Sequence, residues 1–187
     1  MKIEQHLAVI IENFSKLKSK SSCIEEIADA WIMSLAQGNK IMFCGNGGSA
    51  ADSQHLAAEL VGRYKINRSA IPAMSLTVDT SALTAIANDF GYEQVFVRQV
   101  EGLGKAGDCL VGISTSGNSQ NIVNAFLKAK EMGIKTIAFT GEGGGKMREL
   151  ADICLNVPSS ATNNIQEMHI ACGHILCDIV EKYFFAC

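Results

Sequence analysis

The 187-residue sequence has no run of basic residues, no uninterrupted apolar stretch of membrane length and only two prolines, Pro72 and Pro158. Its net charge of -3 gives no basic patch of the kind that binds nucleic acid or an anionic membrane surface. The amino-terminal apolar stretch is interrupted by Glu12 and Asn13 and lacks a small-residue cleavage site, which argues against a signal peptide or membrane span. We therefore expect a cytoplasmic protein that binds neither nucleic acid nor membrane and whose ligand is small.

Paired cysteine motifs are absent as well. The sequence contains seven cysteines, but their number is odd, their spacing is scattered and none forms a CxxC pair. This pattern predicts reduced thiols in the core of a cytosolic protein rather than a disulfide framework or a metal cluster. The seven are Cys23, Cys44, Cys109, Cys154, Cys172, Cys177 and Cys187.

Helical periodicity is present at the amino terminus. Apolar residues recur at helical spacing over residues 3–17 and again over residues 24–35, with Ser21 and Ser22 as candidate caps between them. This pattern predicts a helical hairpin that precedes the rest of the chain.

Short apolar runs alternate with helical patterns after Gly38, which is typical of parallel strands joined by helical crossovers. Such a chain folds as a three-layer α/β/α sandwich around a five-stranded parallel sheet. No repeat or linker divides it, so we expect one domain over residues 1–187, with the hairpin in 1–37 and the α/β core in 38–187. The predicted strands are residues 40–44, 73–76, 109–113, 136–139 and 153–157.

Two loops that follow predicted strands carry chemistry, and ligands bind at the carboxyl ends of strands in such sheets. Residues 114–119, STSGNS, place four hydroxyls and a glycine before a helix, which suits a phosphate-sized anion. A plain serine-rich turn with an N-cap is the structural alternative. Residues 45–50, GNGGSA, fit a dinucleotide fingerprint loosely, but Asp79 comes later than the ribose-binding acid should, and no GK[ST] lysine is present. A phosphate site without a nucleotide is favoured.

The helix after the first loop carries Asp52, His55 and Glu59. The i to i+4 spacing of His55 and Glu59 places an imidazole and a carboxylate on one face. Such a pair can hold a divalent metal or transfer protons, and the alternative is an ordinary solvated polar face.

A long last helix, about residues 163–185, contains Gln166, His169 and His174 within an apolar stripe. Gln166 and His169 lie three residues apart and share a face. His174 lies about 12 Å along the axis from Gln166 and some 80° around it. Spacing alone therefore favours His169 as the companion of Gln166.

Four sequence blocks together resemble the sugar isomerase (SIS) domain family and, within it, the phosphoheptose isomerases: FCGNGGSAADSQHLAAEL, AIANDFGYEQVF, GISTSGNSQNI and NNIQEMHIACGHILC. The resemblance covers nearly the whole chain. The STSGNS loop alone is similar to the wider sugar-phosphate-binding family, whereas the set of four blocks is similar to the isomerases. The resemblance implies the SIS fold, with the flavodoxin-like strand order 2-1-3-4-5.

The resemblance also implies a set of site residues. It implies one zinc ion per subunit, bound by His55, Glu59, Gln166 and His174. It also implies that Glu59 and His174 act as acid and base. The resemblance thus selects His174, whereas the spacing argument favours His169. The implied substrate-binding positions are Asn46, Gly47, Gly48, Ser49, Glu59, Asn88, Asp89, Ser114, Thr115, Ser116, Ser119 and Gln166.

The implied reaction converts sedoheptulose 7-phosphate to D-glycero-D-manno-heptose 7-phosphate through an enediol, early in the synthesis of ADP-heptose or GDP-heptose for lipopolysaccharide or capsule. A carboxylate and an imidazole suffice for the proton transfers if zinc stabilises the enediolate charge. Our hypothesis is that Glu59 removes the C1 proton of the ketose while His174 exchanges protons at the opposite side.

Two other functions are compatible with this resemblance. Some similar proteins bind a partner such as a replication initiator without known isomerase activity, and others act on or sense a different sugar phosphate. The retained His55, Glu59, Gln166 and His174 favour an enzyme, and the Asn88-Asp89 pair favours a heptose.

The resemblance further implies a homotetramer with active sites at the subunit interfaces. We expect the apolar amino-terminal hairpin, including Trp31 and Met33, to form part of that interface.

Overall fold

The computed structural model describes residues 2–186, so Met1 and Cys187 lie outside the described residues. Within that range five strands alternate with α-helices, and no helix is long and apolar enough to cross a membrane. The strands are β1 (Ile41–Gly45), β2 (Ala73–Ser75), β3 (Cys109–Ile113), β4 (Lys135–Thr140) and β5 (Ile153–Asn156). The helices are α1 (Ile3–Leu17), α2 (Ser21–Ala36), α3 (Gly48–Val61), α4 (Thr80–Phe90), α5 (Val97–Leu103), α6 (Gln120–Glu131), α7 (Gly145–Leu150) and α8 (Thr162–Phe185).

The five strands form one parallel sheet in the order β2-β1-β3-β4-β5. This order and the predicted strands are confirmed, with strand ends shifted by one residue in places. The central pairing joins β1 to β3, which are not consecutive in the chain, from Ile41 opposite Cys109 to Gly45 opposite Ile113.

Alternation along the strands divides the core into two layers. In β1, Ile41 and Phe43 contribute to one buried cluster, and Met42 and Cys44 contribute to the other. The first cluster lies beneath α2, α3 and α8, and the second beneath α5, α6 and α7. Helices therefore cover both faces of the sheet, which confirms the predicted three-layer sandwich.

The amino-terminal segment differs from the predicted hairpin. Lys18–Lys20 form a 3-10 turn, and the backbone stays in or near the helical region from Leu17 into Ser21. Helix α1 therefore does not fold back along α2, and it packs against α8 instead. Ser21 is not a cap, because its hydroxyl donates to the Lys18 carbonyl and Lys20 occupies the N-cap position.

Trp31 does not lie on the outer surface of this segment, contrary to the expectation that it forms part of a subunit interface. Its ring is fully buried and meets Phe43 edge-on, with centroids 5.5 Å apart and planes at 84°. Met33, in contrast, is 62% exposed. The exposed apolar side chains of this segment lie mainly on α1 and include Ile3, Leu7, Val9 and Ile11.

The six cysteines within the described residues are free thiols, four of them buried. Burial is the main cause that raises the pKa of both Cys172 and Cys177 to about 12, so both remain protonated near neutral pH. The prediction of free thiols in the core is confirmed for the four buried cysteines, whereas Cys23 and Cys154 are free but only partly buried, and Cys187 lies outside the described residues.

Candidate active site

Two loops meet at the carboxyl ends of β1 and β3. Because Gly45 pairs with Ile113, the chain leaves both strands at the same edge of the sheet, and residues 46–49 face residues 114–119. A cavity of about 320 Å³ lies between them, and α8 closes one side. The cavity is lined by Asn46, Gly47, Gly48, Ser49, Ile113, Ser114, Thr115, Ser116, Ser119, Thr162 and Gln166.

A larger cavity of about 600 Å³ lies at the opposite edge of the sheet, between α2 and the first residues of β3, β4 and β5. Its wall carries Glu26 and Asp29 on one side and Lys130 and Lys135 on the other. It lies away from both loops and from Gln166, whereas the smaller cavity contains all of them, so the smaller cavity is the candidate active site.

The hydroxyls of the second loop converge on one another. The Ser114 and Ser119 Oγ atoms are 2.9 Å apart, and the Ser116 Oγ lies 3.5 Å from that of Ser114. Ser119 occupies the N-cap position of α6, but its hydroxyl does not cap the helix. The simple N-cap interpretation therefore fails at Ser119. A cluster of hydroxyls at a helix amino terminus is instead suited to an anion such as phosphate.

The first loop approaches α8 closely at Gly48. A Cβ atom at this position would lie 2.5 Å from the Gln166 Nε2. Any side chain here would push the Gln166 amide out of the cavity, so the glycine is what permits the loop and the amide to be neighbours.

Asn46 connects the first loop to α6 and to the segment after α4 through its side-chain amide. Its Oδ1 accepts hydrogen bonds from the Asn121 Nδ2 and from the Tyr92 hydroxyl, each at 2.9 Å. Its Nδ2 donates to the Asn121 Oδ1 at 3.0 Å. Neither Asn121 nor Tyr92 was identified from the sequence, because a residue that holds another in place has no motif of its own.

Asn88 and Asp89 lie at the carboxyl end of α4, where both are exposed and the Asn88 Nδ2 donates to the Asp89 Oδ1 at 2.8 Å. Neither lines the cavity, so their binding role stays a prediction. Asp79 caps α4 by accepting from the Ala82 amide at 2.9 Å. This structural use of its carboxylate agrees with the argument against a nucleotide.

Three ligand-type side chains converge between α3 and α8, about two helical turns along α3 from Gly48. The His55 Nε2 lies 3.1 Å from the Glu59 Oε1 and 2.9 Å from the His174 Nε2, and the three ligand atoms lie within 4.8 Å of one another. Two imidazole nitrogens and a carboxylate oxygen are the donor set of many divalent-metal sites. The three residues therefore fit a metal ion.

Close packing of α3 on α8 brings these residues together. A Cβ at Gly173 would lie 2.5 Å from the Leu56 Cδ2, so the Leu56 side chain rests directly on the backbone of α8. In the chain, His55 directly precedes Leu56 and His174 directly follows Gly173. A glycine inside a helix costs about 1 kcal/mol relative to alanine, and here it lets the two imidazoles meet.

The pKa of His174 is lowered from its usual value. Burial is the main cause and His55 adds to it, whereas Glu59 acts in the opposite direction. A lowered pKa keeps the imidazole neutral near pH 7, the form that accepts a proton or binds a metal. Burial also raises the pKa of Asp52 to about 6, against the opposing effect of His55.

The spacing argument for His169 is wrong. His169 is fully buried against Phe139, and its Nε2 lies 3.1 Å from the Thr140 carbonyl oxygen. Its Nδ1 is buried without a hydrogen-bond partner. Of the two predicted site residues on α8, Gln166 lines the cavity, whereas His174 lies farther along the helix and contacts His55 of α3.

Comparisons with known proteins extend over this whole arrangement. Residues 5–141 match the family model of the SIS domain. A phosphoheptose isomerase from Akkermansia muciniphila is 61% identical over 183 residues, which cover 98% of this chain and 97% of that protein. The structure of a phosphoheptose isomerase from Neisseria gonorrhoeae aligns with a TM-score of 0.92 at 43% identity, over 96% of this chain and 97% of that one. A phosphoheptose isomerase structure from Francisella tularensis gives 0.93 at 36% identity, over 96% of both chains.

His169 should make stability depend on pH. Burial lowers its pKa to about 4, although the hydrogen bond to Thr140 raises it, whereas an unfolded histidine titrates at about 6.5. Between these two values the unfolded chain binds the extra proton, so the contribution of neutral His169 is complete above about pH 6.5 and is lost as the pH falls to about 4. His169→Gln should therefore lower the free energy of unfolding more at pH 7 than at about pH 4.5, as measured by urea denaturation at fixed protein concentration.

The measured quantity is the difference between parent and variant, because the raised pKa of Asp52 gives a pH dependence of the opposite sign. His6→Gln, which changes an exposed histidine, is the control and should leave the pH dependence as in the parent. An equal effect of His169→Gln at both pH values would contradict the prediction.

Proposed function

We propose that this chain, which belongs to the SIS domain family and within it to the phosphoheptose isomerases, interconverts sedoheptulose 7-phosphate and D-glycero-D-manno-heptose 7-phosphate. The observation that carries the proposal is the convergence of His55, Glu59 and His174 on α3 and α8, the two helices that also border a cavity lined with hydroxyls. An aldose–ketose isomerase needs these parts: an anchor for the phosphate and acid–base groups at the reacting carbons. The product would serve the synthesis of nucleotide-activated heptose. We further propose that the enzyme is cytoplasmic.

The hydroxyl loop is the proposed phosphate anchor. Ser114, Thr115, Ser116 and Ser119 contribute four hydroxyls at the start of α6, where helix N–H groups also favour an anion. None of these groups is a good proton acceptor near pH 7. The loop therefore supplies binding and orientation rather than proton transfer.

The distance along α3 between the cavity and the metal-type cluster supports a long sugar as substrate. Gly48 at the cavity and His55 in the metal-type cluster are seven residues apart, which is about 10 Å along a helix axis. An extended seven-carbon sugar phosphate has a comparable length. A sugar held by its phosphate near residues 114–119 would thus bring its carbonyl end toward Glu59 and His174.

Glu59 and His174 are the proposed acid and base. The Glu59 carboxylate removes the C1 proton of the open-chain ketose, which leaves an enediolate, and the proton returns at C2. His174, kept neutral by its lowered pKa, exchanges the hydroxyl protons on O1 and O2. The ligand atoms of the two residues lie within 4.8 Å of each other in one subunit, so they approach the sugar from one side. Action from opposite sides, our hypothesis from the sequence, would require the two groups to come from different subunits.

Zinc is the proposed metal, one ion per subunit, because nitrogen and carboxylate ligands in a compact set are typical of zinc sites. His55, Glu59 and His174 would hold it, and the ligation would change during the cycle so that Glu59 and His174 can transfer protons. Gln166 stays the proposed fourth ligand, although its amide lies beside Gly48, about two helical turns along α3 from His55 in the same subunit. When bound, the metal would act as a Lewis acid that stabilises negative charge on the enediolate oxygens. Gln166 also lines the cavity, where its amide can hydrogen-bond the sugar.

A homotetramer is the proposed assembly. In the described chain α1 exposes Ile3, Leu7 and Ile11, at 79%, 53% and 67%, on a helix that contacts its own subunit mainly through α8. Such a row of exposed apolar side chains is typical of a surface that another subunit covers. Light scattering at micromolar concentration should give the mass of four chains, and a monomer would contradict the proposal.

Turnover of sedoheptulose 7-phosphate tests the function directly. Purified protein with added zinc should produce a new aldose phosphate signal in NMR spectra. Glu59→Gln should lower kcat by at least about 10²-fold, because it removes the proposed base, while the sugar phosphate still binds, as measured by calorimetry.

The matched control is Glu131→Gln, which alters an exposed carboxylate at the end of α6 and should leave kcat unchanged. Absence of product from the parent protein would reject the isomerase. Near-normal turnover by Glu59→Gln would reject this residue as the base.

Metal removal tests the zinc site. Protein treated with a chelator, and shown by elemental analysis to lack metal, should lose its activity and regain it with Zn²⁺. Mg²⁺ should not restore activity, because it prefers six oxygen ligands in an octahedral arrangement. Full activity of the metal-free protein would contradict the assignment.

A further inference from the structure

The ring of Tyr64 lies against the imidazole of His174. The ring centroids are 5.7 Å apart and the planes differ by 27°, which is a stacked arrangement. Tyr64 belongs to the loop that follows α3, and His174 lies in the middle of α8. The contact therefore joins the loop to the histidine that completes the metal-type cluster.

His174 lacks the hydrogen bond that usually orients such a residue. A metal-binding histidine commonly donates its second ring N–H to a carboxylate or a carbonyl, which fixes the plane of the ring. Within residues 2–186, the hydrogen bond that His174 makes through its ring uses Nε2, toward His55. The opposite ring nitrogen has no protein partner in this range. The Tyr64 ring, stacked on the imidazole, is a contact that can fix the plane of the ring instead.

The loop that carries Tyr64 is itself held by a buried carboxylate. Glu181 accepts hydrogen bonds from the backbone amides of Tyr64, Lys65 and Ile66, at 2.9, 2.7 and 2.9 Å. Burial raises the pKa of Glu181, but these amides and Arg68 outweigh that effect and lower it overall. The carboxylate therefore stays ionised and fixes three successive residues of the loop.

Arg68 ties the same loop to the end of α3. Its Nε donates to Glu181 at 2.9 Å, and both side chains are only 1% exposed. Its other nitrogens donate to the carbonyls of Glu59 and Leu60, at 2.9 and 2.8 Å, which belong to the last turn of α3. These carbonyls have no partner within the helix. The Arg68–Glu181 pair thus fixes the Glu59 backbone and the Tyr64 backbone relative to α8.

We propose that Tyr64 is a positioning residue for His174, whose stacked ring holds the imidazole in the rotamer that directs Nε2 toward His55 and Glu59. The Arg68–Glu181 pair holds the Tyr64 backbone for this purpose. Stacking of aromatic rings restricts rotation without using a hydrogen-bonding group. The ring, rather than the hydroxyl, is therefore the functional part of Tyr64. The proposal rests on the zinc isomerase function proposed above.

Tyr64→Leu and Tyr64→Phe separate the ring from the hydroxyl. Tyr64→Leu should weaken zinc binding by about 10-fold to 100-fold, the range found when a group that orients a metal ligand is lost. It should also lower kcat more than it changes KM, because the phosphate anchor is elsewhere. Tyr64→Phe keeps the ring and should remain within about twofold of the parent in both measurements, since it retains the stacking contact. Zinc affinity is measured by competition with a chromogenic chelator, without substrate.

Tyr183→Leu is the matched control, because it makes the same chemical change at an exposed ring of α8 and should leave zinc affinity unchanged. Circular dichroism melting checks that each variant is folded, and Tyr64→Met replaces Tyr64→Leu if the latter is not. Parent-like zinc affinity in the non-aromatic variant would overturn the proposal, as would an equal loss in Tyr64→Phe. Because the zinc measurement needs no substrate, a parent that binds zinc without turnover would contradict the isomerase function alone.

Discussion

The pairing of β1 with β3 is the constraint on which the site depends. These strands are separated in the chain by α3, β2, α4 and α5, yet they lie side by side with Gly45 opposite Ile113. Within the sheet, β2 lies next to β1 on one flank of the β1–β3 pair, and β4 lies next to β3 on the other flank. The connections that follow β1 and β3 therefore lead in opposite directions. A crevice forms where neighbouring strands diverge in this way. A register shift of one residue would turn the alternating core positions of both strands to the wrong faces, so core packing and the position of the two loops are fixed together.

A second contact, between α3 and α8, positions the proposed metal-binding and acid–base groups. Leu56 rests on the backbone at Gly173, and this approach brings His55 and His174 to within 2.9 Å at their Nε2 atoms. At the far end of α3, Arg68 and Glu181 join the same two helices again. The metal-type cluster thus lies between two fixed points, one apolar and one ionic. A catalytic cluster needs this kind of support, since displacement of one ligand by an ångström is costly.

The sequence predicted the sheet because its signals are local. Each strand is a short apolar run bounded by glycine or polar residues, and the loops at the strand ends carry their hydroxyls and glycines in consecutive positions. The errors arose where a distant contact decides the outcome. Spacing on α8 could not choose between His169 and His174, because the choice depends on whether the sheet or α3 faces each residue. Tyr64 and Glu181 are more than a hundred residues apart, so no pattern in the sequence joins them.

The prediction of an amino-terminal helical hairpin was wrong for a related reason. Apolar periodicity identifies helices but does not give the direction of the chain between them, and residues 18–20 continue as a 3-10 turn instead of reversing. Apolar content does not show which side chains of a segment face outward, so the expectation that Trp31 lies at the subunit interface is wrong. In the structure its ring fills the space against Phe43, and α1 rather than α2 carries the exposed apolar row.

The hydrogen bonds of Asn46 limit what this residue can do in the site. A carbonyl oxygen has two lone pairs, and the Asn46 Oδ1 uses both, one for Asn121 and one for Tyr92. One N–H of the amide is engaged as well, so a single N–H remains for a sugar. Asn46 therefore acts first as a junction between the first loop, helix α6 and the segment after α4. Because one side chain joins these three elements, its hydrogen bonds fix the first loop relative to α6 and to the segment after α4.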